Sequence, residues 1–330
     1  MTTAPSTQPV ALVAGGSRGL GLLVARELVG HGYRVAVCAR DLDEAREGAA
    51  QVGAYAYRCD VSEKDEVAAL VEQVEGEMGP IEVLIHVAGI IQVGPAESMT
   101  VEHFEDAVGT MLMGPVHTAW AALPGMRQRG RGRIGVVTSV GGKVSPPHLL
   151  PYSTAKFGAV GFTEGLSAEL AGTGVTATTI VPGLMRTGSH EQALFTGDHA
   201  AEYAWFAPAA SLPVLSMNAE RAARRMVDGV LGGKPLVVLS WLSHAAIRAH
   251  GLSPTLTVHL MGLVNRFLPT AAGQEEGHLG GTAKPQSVTT AHGSTVSGRQ
   301  AAQRLGTAST QVVEVLTTLG RRAAGRFNQR

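Results

Sequence analysis

From Val10 onward, apolar runs of strand length alternate with stretches that repeat at helical period. The runs are Val10–Ala14, Arg34–Ala39, Tyr55–Cys59, Val83–Val87, Arg133–Thr138, Thr176–Val181 and Pro235–Leu239. Between them lie Leu20–Gly30, Lys64–Met78, His103–Arg129, Ser153–Ala171 and Ala219–Leu231. The runs are apolar throughout instead of alternating, the pattern of strands covered on both faces. Strand–helix alternation at this spacing is the signature of βαβ units with right-handed crossovers. The expected fold is α/β, a doubly wound parallel sheet of about seven strands, over residues 9–245 and preceded by a disordered tail over 1–8.

Beyond about Ser240 the pattern changes. Leu256, Leu260, Leu263, Val264 and Phe267 recur at helical spacing up to Pro269, so residues 246–270 are expected to be an amphipathic helical extension. Two readings stand for it: a helix packed on the main domain or on a partner copy, and a helix in contact with a membrane surface. Residues 271–298 are rich in Gly, Ser, Thr and His and nearly free of apolar side chains, the composition of a disordered linker. Residues 299–330 carry six Arg against the single acid Glu314, and Val312, Val315, Leu316 and Leu319 could form one stripe of a short basic tail helix.

Composition narrows the function classes. With 330 residues, 45% of them hydrophobic, there is material for one large core. Lys plus Arg and Asp plus Glu both number 27, so no net field favours nucleic acid, which is not an expected partner. Cys38 and Cys59 have no CxxC neighbour, which argues for buried free thiols and against a disulfide or zinc site. Met1 to Pro9 lacks a basic region and an apolar region, and no run approaches the ~20 residues that cross a bilayer. The expected location is the cytoplasm, with no metal required.

Candidate chemistry begins directly after the first strand. Gly15-Gly16-Ser17-Arg18-Gly19-Leu20-Gly21 opens the first helix, and such glycines let backbone turn tightly against a pyrophosphate whose charge meets the helix N-terminus. NAD sites place a carboxylate at the end of strand two. Here that strand ends Val37-Cys38-Ala39-Arg40, and Arg40 with Arg18 could pair with a 2′-phosphate, which favours NADP (NADPH) over NAD. Asp41 follows at once and could turn back towards a ribose. Further on, Tyr152-Ser153-Thr154-Ala155-Lys156 puts a phenol and an ammonium one turn apart on a helix. An ammonium favours phenolate and is expected to lower the phenol pKa, making Tyr152 an acid/base for a carbonyl or alcohol. Ser139, thirteen residues earlier at a strand end, could hold the same oxygen.

These residues carry a resemblance to the short-chain dehydrogenase/reductase family in its single-domain form, over about residues 8 to 245. The family's TGxxxGxG motif corresponds to Ala14–Gly21 with Ala for Thr, and its Asp-Val pair at the adenine to Asp60 and Val61. SSxxG corresponds to Thr138–Gly142, YxxxK to Tyr152–Lys156, and PGxxxT to Pro182–Thr187. The resemblance implies a Rossmann fold and catalysis by Ser139, Tyr152 and Lys156. The cofactor would be held by Gly15, Ser17, Arg18, Gly19, Leu20, Gly21, Arg40, Asp60, Val61, Ala88, Gly89, Tyr152, Lys156, Pro182, Gly183 and Thr187. It also implies a homo-oligomer acting on a small carbonyl or alcohol substrate by hydride transfer.

Two departures qualify the match. The family's NNAG reads His86-Val87-Ala88-Gly89 here, and the Asn that holds a relay water behind Lys is Met111. Thioether sulfur is a weak acceptor and cannot replace that amide. His86 and Thr110 are the other candidates for the relay. The alternative is an NADP(H)-binding protein with weak or no turnover, used as a sensor or assembly partner. On the substrate side, Phe195, Tyr203, Trp205, Phe206 and Met217 lie between Thr187 and Ala219. They read equally as an aromatic lid over an apolar substrate and as a helix packed by its aromatic face. His148, Leu149 and Leu150 are further pocket candidates.

Overall fold

The computed structural model describes residues 8–212, 216–270 and 295–305, together with Val313, residues 316–318, Arg322 and residues 325–327. The expected tail over 1–8 lies outside these residues except for Gln8.

Seven strands form one parallel sheet: β1 (Val10–Ala14), β2 (Arg34–Ala39), β3 (Tyr55–Arg58), β4 (Ile81–His86), β5 (Gly132–Val137), β6 (Val175–Val181) and β7 (Leu236–Val238). Their order is β3-β2-β1-β4-β5-β6-β7. Ten main helices accompany them: α1 (Gly19–Gly30), α2 (Leu42–Val52), α3 (Lys64–Met78), α4 (Val101–Val108), α5 (Gly114–Arg129), α6 (Leu150–Glu169), α7 (His199–Ser211), α8 (Ala219–Leu231), α9 (Trp241–Leu252) and α10 (Pro254–Asn265).

The uniform apolarity of the strands follows from burial on both sides. Along β1, Leu12 and Ala14 pack with Leu70, Ala119 and Leu166 of α3, α5 and α6. Ala11 and Val13 point the other way, into a cluster with Leu22, Leu28, Met226 and Val230 of α1 and α8. This is a doubly wound Rossmann fold, as expected. Strand order reverses at β1, with β2 and β3 added on one side and β4 onward on the other, so a crevice opens beyond the carboxyl ends of β1 and β4, where such sheets bind ligands.

Several elements differ from the sequence reading. Helix α2 was not foreseen; its buried face is only Ala45, Gly48, Ala49 and Val52, too small for a clear apolar stripe. The stretch His103–Arg129 is α4 and α5 joined by a π-helical turn, Gly109–Met113, which holds one residue too many for a regular helix. The extension is two helices, not one. Pro254 removes an N–H and bars Ser253 from helical geometry, so α9 stops at Leu252. No residue of α10 is buried, so its stripe is not packed against the described residues of the main domain.

The C-terminal segment returns to the body of the protein. Val296–Ser297 pairs antiparallel with Leu194–Phe195, which itself pairs with Gln92–Val93, and a short helix α11 (Gly298–Gln303) follows. The expected linker therefore ends before residue 296, and residues 271–294 lie outside the described ones. Of the expected tail stripe, Leu316 is 38% exposed, while Val312, Val315 and Leu319 lie outside the described residues. Val313, Thr317 and Phe327 are buried, as is Ala301 earlier in the segment. Nor is the basic face simply solvated: Arg326 pairs with Glu220 at 2.7 Å and Arg299 with Glu191 at 3.7 Å.

Candidate active site

The turn from β1 into α1 can be built only with glycine at two points. Gly15 has φ +85°, and a Cβ there would stand 2.5 Å from the Ala88 nitrogen. A Cβ on Gly21 would stand 1.8 Å from the Gly15 oxygen. The β1–α1 backbone thus packs against the Ala88 backbone as a close cradle. At the N-cap of α1, Arg18 makes no side-chain cap, although the first helical N–H, that of Gly19, is already taken by a backbone carbonyl.

A cavity of about 580 Å³ runs from this turn across the carboxyl ends of the strands. Its wall includes Gly15, Ser17, Arg18, Leu20, Gly21 and Arg40 at one end, and Asp60, Val61, Ala88 and Gly89 in the middle. Ser139, Tyr152, Lys156, Pro182, Gly183 and Thr187 line the other end. Of the residues expected to form the site, Gly19 alone is off the wall; its N–H donates to the Phe327 carbonyl at 2.6 Å.

At the Arg40 end, the Asp41 carboxylate accepts the Asp43 and Glu44 N–H groups at 2.9 and 3.1 Å. Through that oxygen it caps α2, while the residue itself lines the cavity beside Arg40. Arg40 is exposed, and its side chain has no ion pair among the described residues. Sequence reasoning missed Glu44, which lines the cavity, accepts from the Ser17 hydroxyl and pairs with Arg18 at 2.8 Å. Its only signal was the Asp-x-x-Glu spacing of a helix start. Cys38 and Cys59 are buried free thiols, as expected, hydrogen-bonded to one another on the same wall.

At the Tyr152 end, the predicted grouping is present. Ser139 closes β5, with its Oγ accepting the Gly141 N–H at 3.0 Å. Lys156 Nζ donates to the Val137 carbonyl at 2.8 Å and lies 5.8 Å from the centre of the Tyr152 ring. Burial brings the Lys156 pKa down to about 8. The Tyr152 pKa departs from expectation: it is raised, because burial outweighs the lowering by the Ser139 hydroxyl. The expected acidified phenol is thus a neutral one here. Desolvation disfavours phenolate more than the Ser139 hydrogen bond favours it.

Met111 lies in the π-helical turn, 1% exposed, with its sulfur 3.3 Å from where a Cβ on Gly89 would stand; Lys156 Nζ is 3.8 Å from the same point. It packs beneath Tyr152 with Ala107 and Ala155. Of the two relay candidates, Thr110 reaches the cavity wall and His86 does not. His86 is 1% exposed, its Nδ1 3.4 Å from the Thr118 hydroxyl, and burial followed by the Lys156 charge lowers its pKa to about 3.

The aromatic segment divides between its two readings. Trp205 and Phe206 line the cavity with Leu149, Ile90 and Ile91, whereas Tyr203 and Phe195 pack a satellite core. His148 is off the wall and Leu150 is 45% exposed, correcting both as pocket residues. His148 instead takes φ +62° and meets the buried Glu202 carboxylate at 2.7 Å. The other oxygen of Glu202 accepts from Trp205 Nε1 at 2.7 Å, fixing the indole in the wall.

Comparison with known proteins places the chain in a family. The profile of the family described as short chain dehydrogenase matches residues 9–195. A putative ketoacyl reductase of Streptomyces coelicolor is 42% identical over 187 residues, covering 54% of this chain and 71% of the relative. An acetoacetyl-CoA reductase of Paracoccus denitrificans is 38% identical over 179 residues, 54% of this chain and 74% of the relative. Among solved structures, a single-substitution variant of actinorhodin polyketide ketoreductase with NADPH superposes with a TM-score of 0.63 at 30% identity, covering 72% of this chain and 97% of that one. A short-chain dehydrogenase from Streptomyces avermitilis gives 0.68 at 26% identity, covering 80% and 99%.

Proposed function

The chain belongs to the short-chain dehydrogenase family, and from that premise we propose that it is an NADPH-dependent reductase of apolar ketones, with β-ketoacyl thioesters the first substrate class to test. The observation that carries the reading is one continuous cavity with a phosphate-type glycine turn and a free Arg40 at one end and Ser139, Tyr152 and Lys156 at the other. Relatives named ketoacyl and acetoacetyl-CoA reductases supply the substrate class.

The residues fit a phosphorylated nicotinamide dinucleotide. The glycine cradle admits close backbone approach. One Asp41 carboxylate oxygen is engaged in capping α2, while Arg40 has no competing anion among the described residues. When bound, NADPH supplies the hydride that reduces the carbonyl carbon. Ser139 and Tyr152 orient the substrate oxygen, and Tyr152 delivers the proton to it. A phenol held neutral by burial suits that task, since reduction needs an acid where alcohol oxidation needs a base. Lys156 steadies the charge that develops on the phenol oxygen as its proton leaves. Trp205 and Phe206 exclude water from the carbonyl end.

The test is NADPH consumption against a panel that includes acetoacetyl-CoA, with Tyr152→Phe as the comparison. Loss of one positioned acid is expected to lower turnover ~10²–10⁴-fold. A tight NADPH complex that reduces no member of the panel would instead favour the second reading, a cofactor-binding protein without turnover. The observation favouring that reading is the apolar thioether of Met111 packed where a relay amide is expected.

A further inference from the structure

We propose that the α9–α10 hairpin is a docking surface for an anionic lipid bilayer. Each of the other α-helices buries at least one residue, yet α10 buries none. Its large side chains stand in the open: Leu256 is 66% exposed, Leu260 52% and Phe267, just past its end, 82%. Leu252 at the turn between the helices is 87% exposed, and Trp241 at the start of α9 is 72%. An apolar helix whose large side chains are left exposed marks an interaction site, membrane surfaces included.

Charge decides the occupant. Residues 241–270 hold Arg248 and Arg266, both exposed, and no Asp or Glu, in a chain whose acids and bases number 27 each overall. A second copy seated segment against segment would offer these arginines no acid of the segment to pair with. An anionic headgroup layer would pair them, with Trp241 and Phe267 suited to the boundary between headgroups and acyl chains. At 12 residues α10 is ~18 Å long, and no described helix is long and apolar enough to cross a membrane. The hairpin therefore lies on the bilayer and does not span it.

The surface joins the cavity. Ser240 caps α9 and, with Ser243, crowds Gly183: a Cβ on that glycine would stand 3.0 and 2.8 Å from their hydroxyl oxygens. Gly183 lines the cavity beside Leu184, which is itself 37% exposed. A bilayer on the hairpin would thus lie against the first turn after the carbonyl end of the site.

Co-sedimentation of the full chain tests this with two vesicle types, phosphatidylcholine alone and phosphatidylcholine mixed equally with phosphatidylglycerol. The protein is expected to pellet with the anionic vesicles and much less with the neutral ones. Combining Leu256→Ser, Leu260→Ser and Phe267→Ser should lower partitioning ~100-fold or more, while NADPH binding is unchanged and reports that the fold is intact. Combining Arg248→Glu and Arg266→Glu should abolish the preference for anionic vesicles without touching the apolar face. Equal pelleting of wild type and both variants would overturn the proposal, and so would no pelleting at all. A wild-type dimer that the serine variant converts to monomer, with no lipid binding, would overturn it too and assign the face to a second copy.

Discussion

Lys156 is the residue on which charge in the site depends. It is 4% exposed, and burial holds its pKa at about 8 instead of 10.5. It is therefore cationic below pH 8 and loses its charge as pH rises through that value, well before an exposed lysine would. Reductive turnover should accordingly fall along a limb centred near pH 8, read from the pH dependence of kcat; a profile flat to pH 10 would detach the lysine charge from the rate. At the other end of the cavity, Glu44 occupies Arg18 and Ser17. Glu44→Gln should release both towards a 2′-phosphate and remove a like charge, tightening NADPH ~3–5-fold, the scale of a half-exposed ion pair, with NADH little changed. Arg40→Ala should weaken NADPH far more than NADH, and equal losses in the two titrations would remove the case for a phosphate. The two kinds of residue also differ in how far they could be read in advance. Tyr152 and Lys156 were legible because four residues on a helix fix a shared face. Glu44 was not, because its pairing with Arg18 spans 26 positions and depends on an unforeseen helix.

At the level of elements, legibility followed the size of the buried face. Strands buried on both sides, such as β1, announced themselves through unbroken Val, Leu and Ala. Helix α2, buried by alanines and a glycine, left no comparable trace. The π-helical turn at Gly109–Met113 is invisible to any period count, since it adds a single residue between two regular helices. For the C-terminal tail, periodicity says that a face is apolar, not what it meets. Phe327 meets the α1 side of the sheet. Its side chain is 4% exposed among residues including Leu20 and Leu23, while its carbonyl accepts from Gly19 in the cofactor turn. Phe327→Ala should therefore cost ~3 kcal/mol or more of stability, as for a buried phenylalanine. A loosely attached tail would give less than ~0.5 kcal/mol, a difference that urea unfolding resolves easily.

For the molecule as a whole, the balanced charge of 27 against 27 conceals an acid-sensitive core. His86 ends β4, the central strand next to β1, and is sealed beneath α5 where the family carries an Asn. Its pKa of about 3 in the folded chain lies below the 6.5 of a free imidazole, first through burial and then through the Lys156 charge. Between those two values the unfolded chain binds a proton that the folded chain refuses, so stability rises with pH across the interval. The contribution is complete above pH 6.5 and is lost as pH falls towards 3, with a slope approaching ~1.4 kcal/mol per pH unit. His86→Asn fills the position with a side chain that does not titrate. In urea melts at pH 4, 5, 6 and 7 the wild type should lose stability steeply below pH 6.5, and the Asn variant should follow a shallower course over the same range. Parallel courses would mean that His86 is not sealed from protons, and the acid limb would have to be sought among the carboxylates instead.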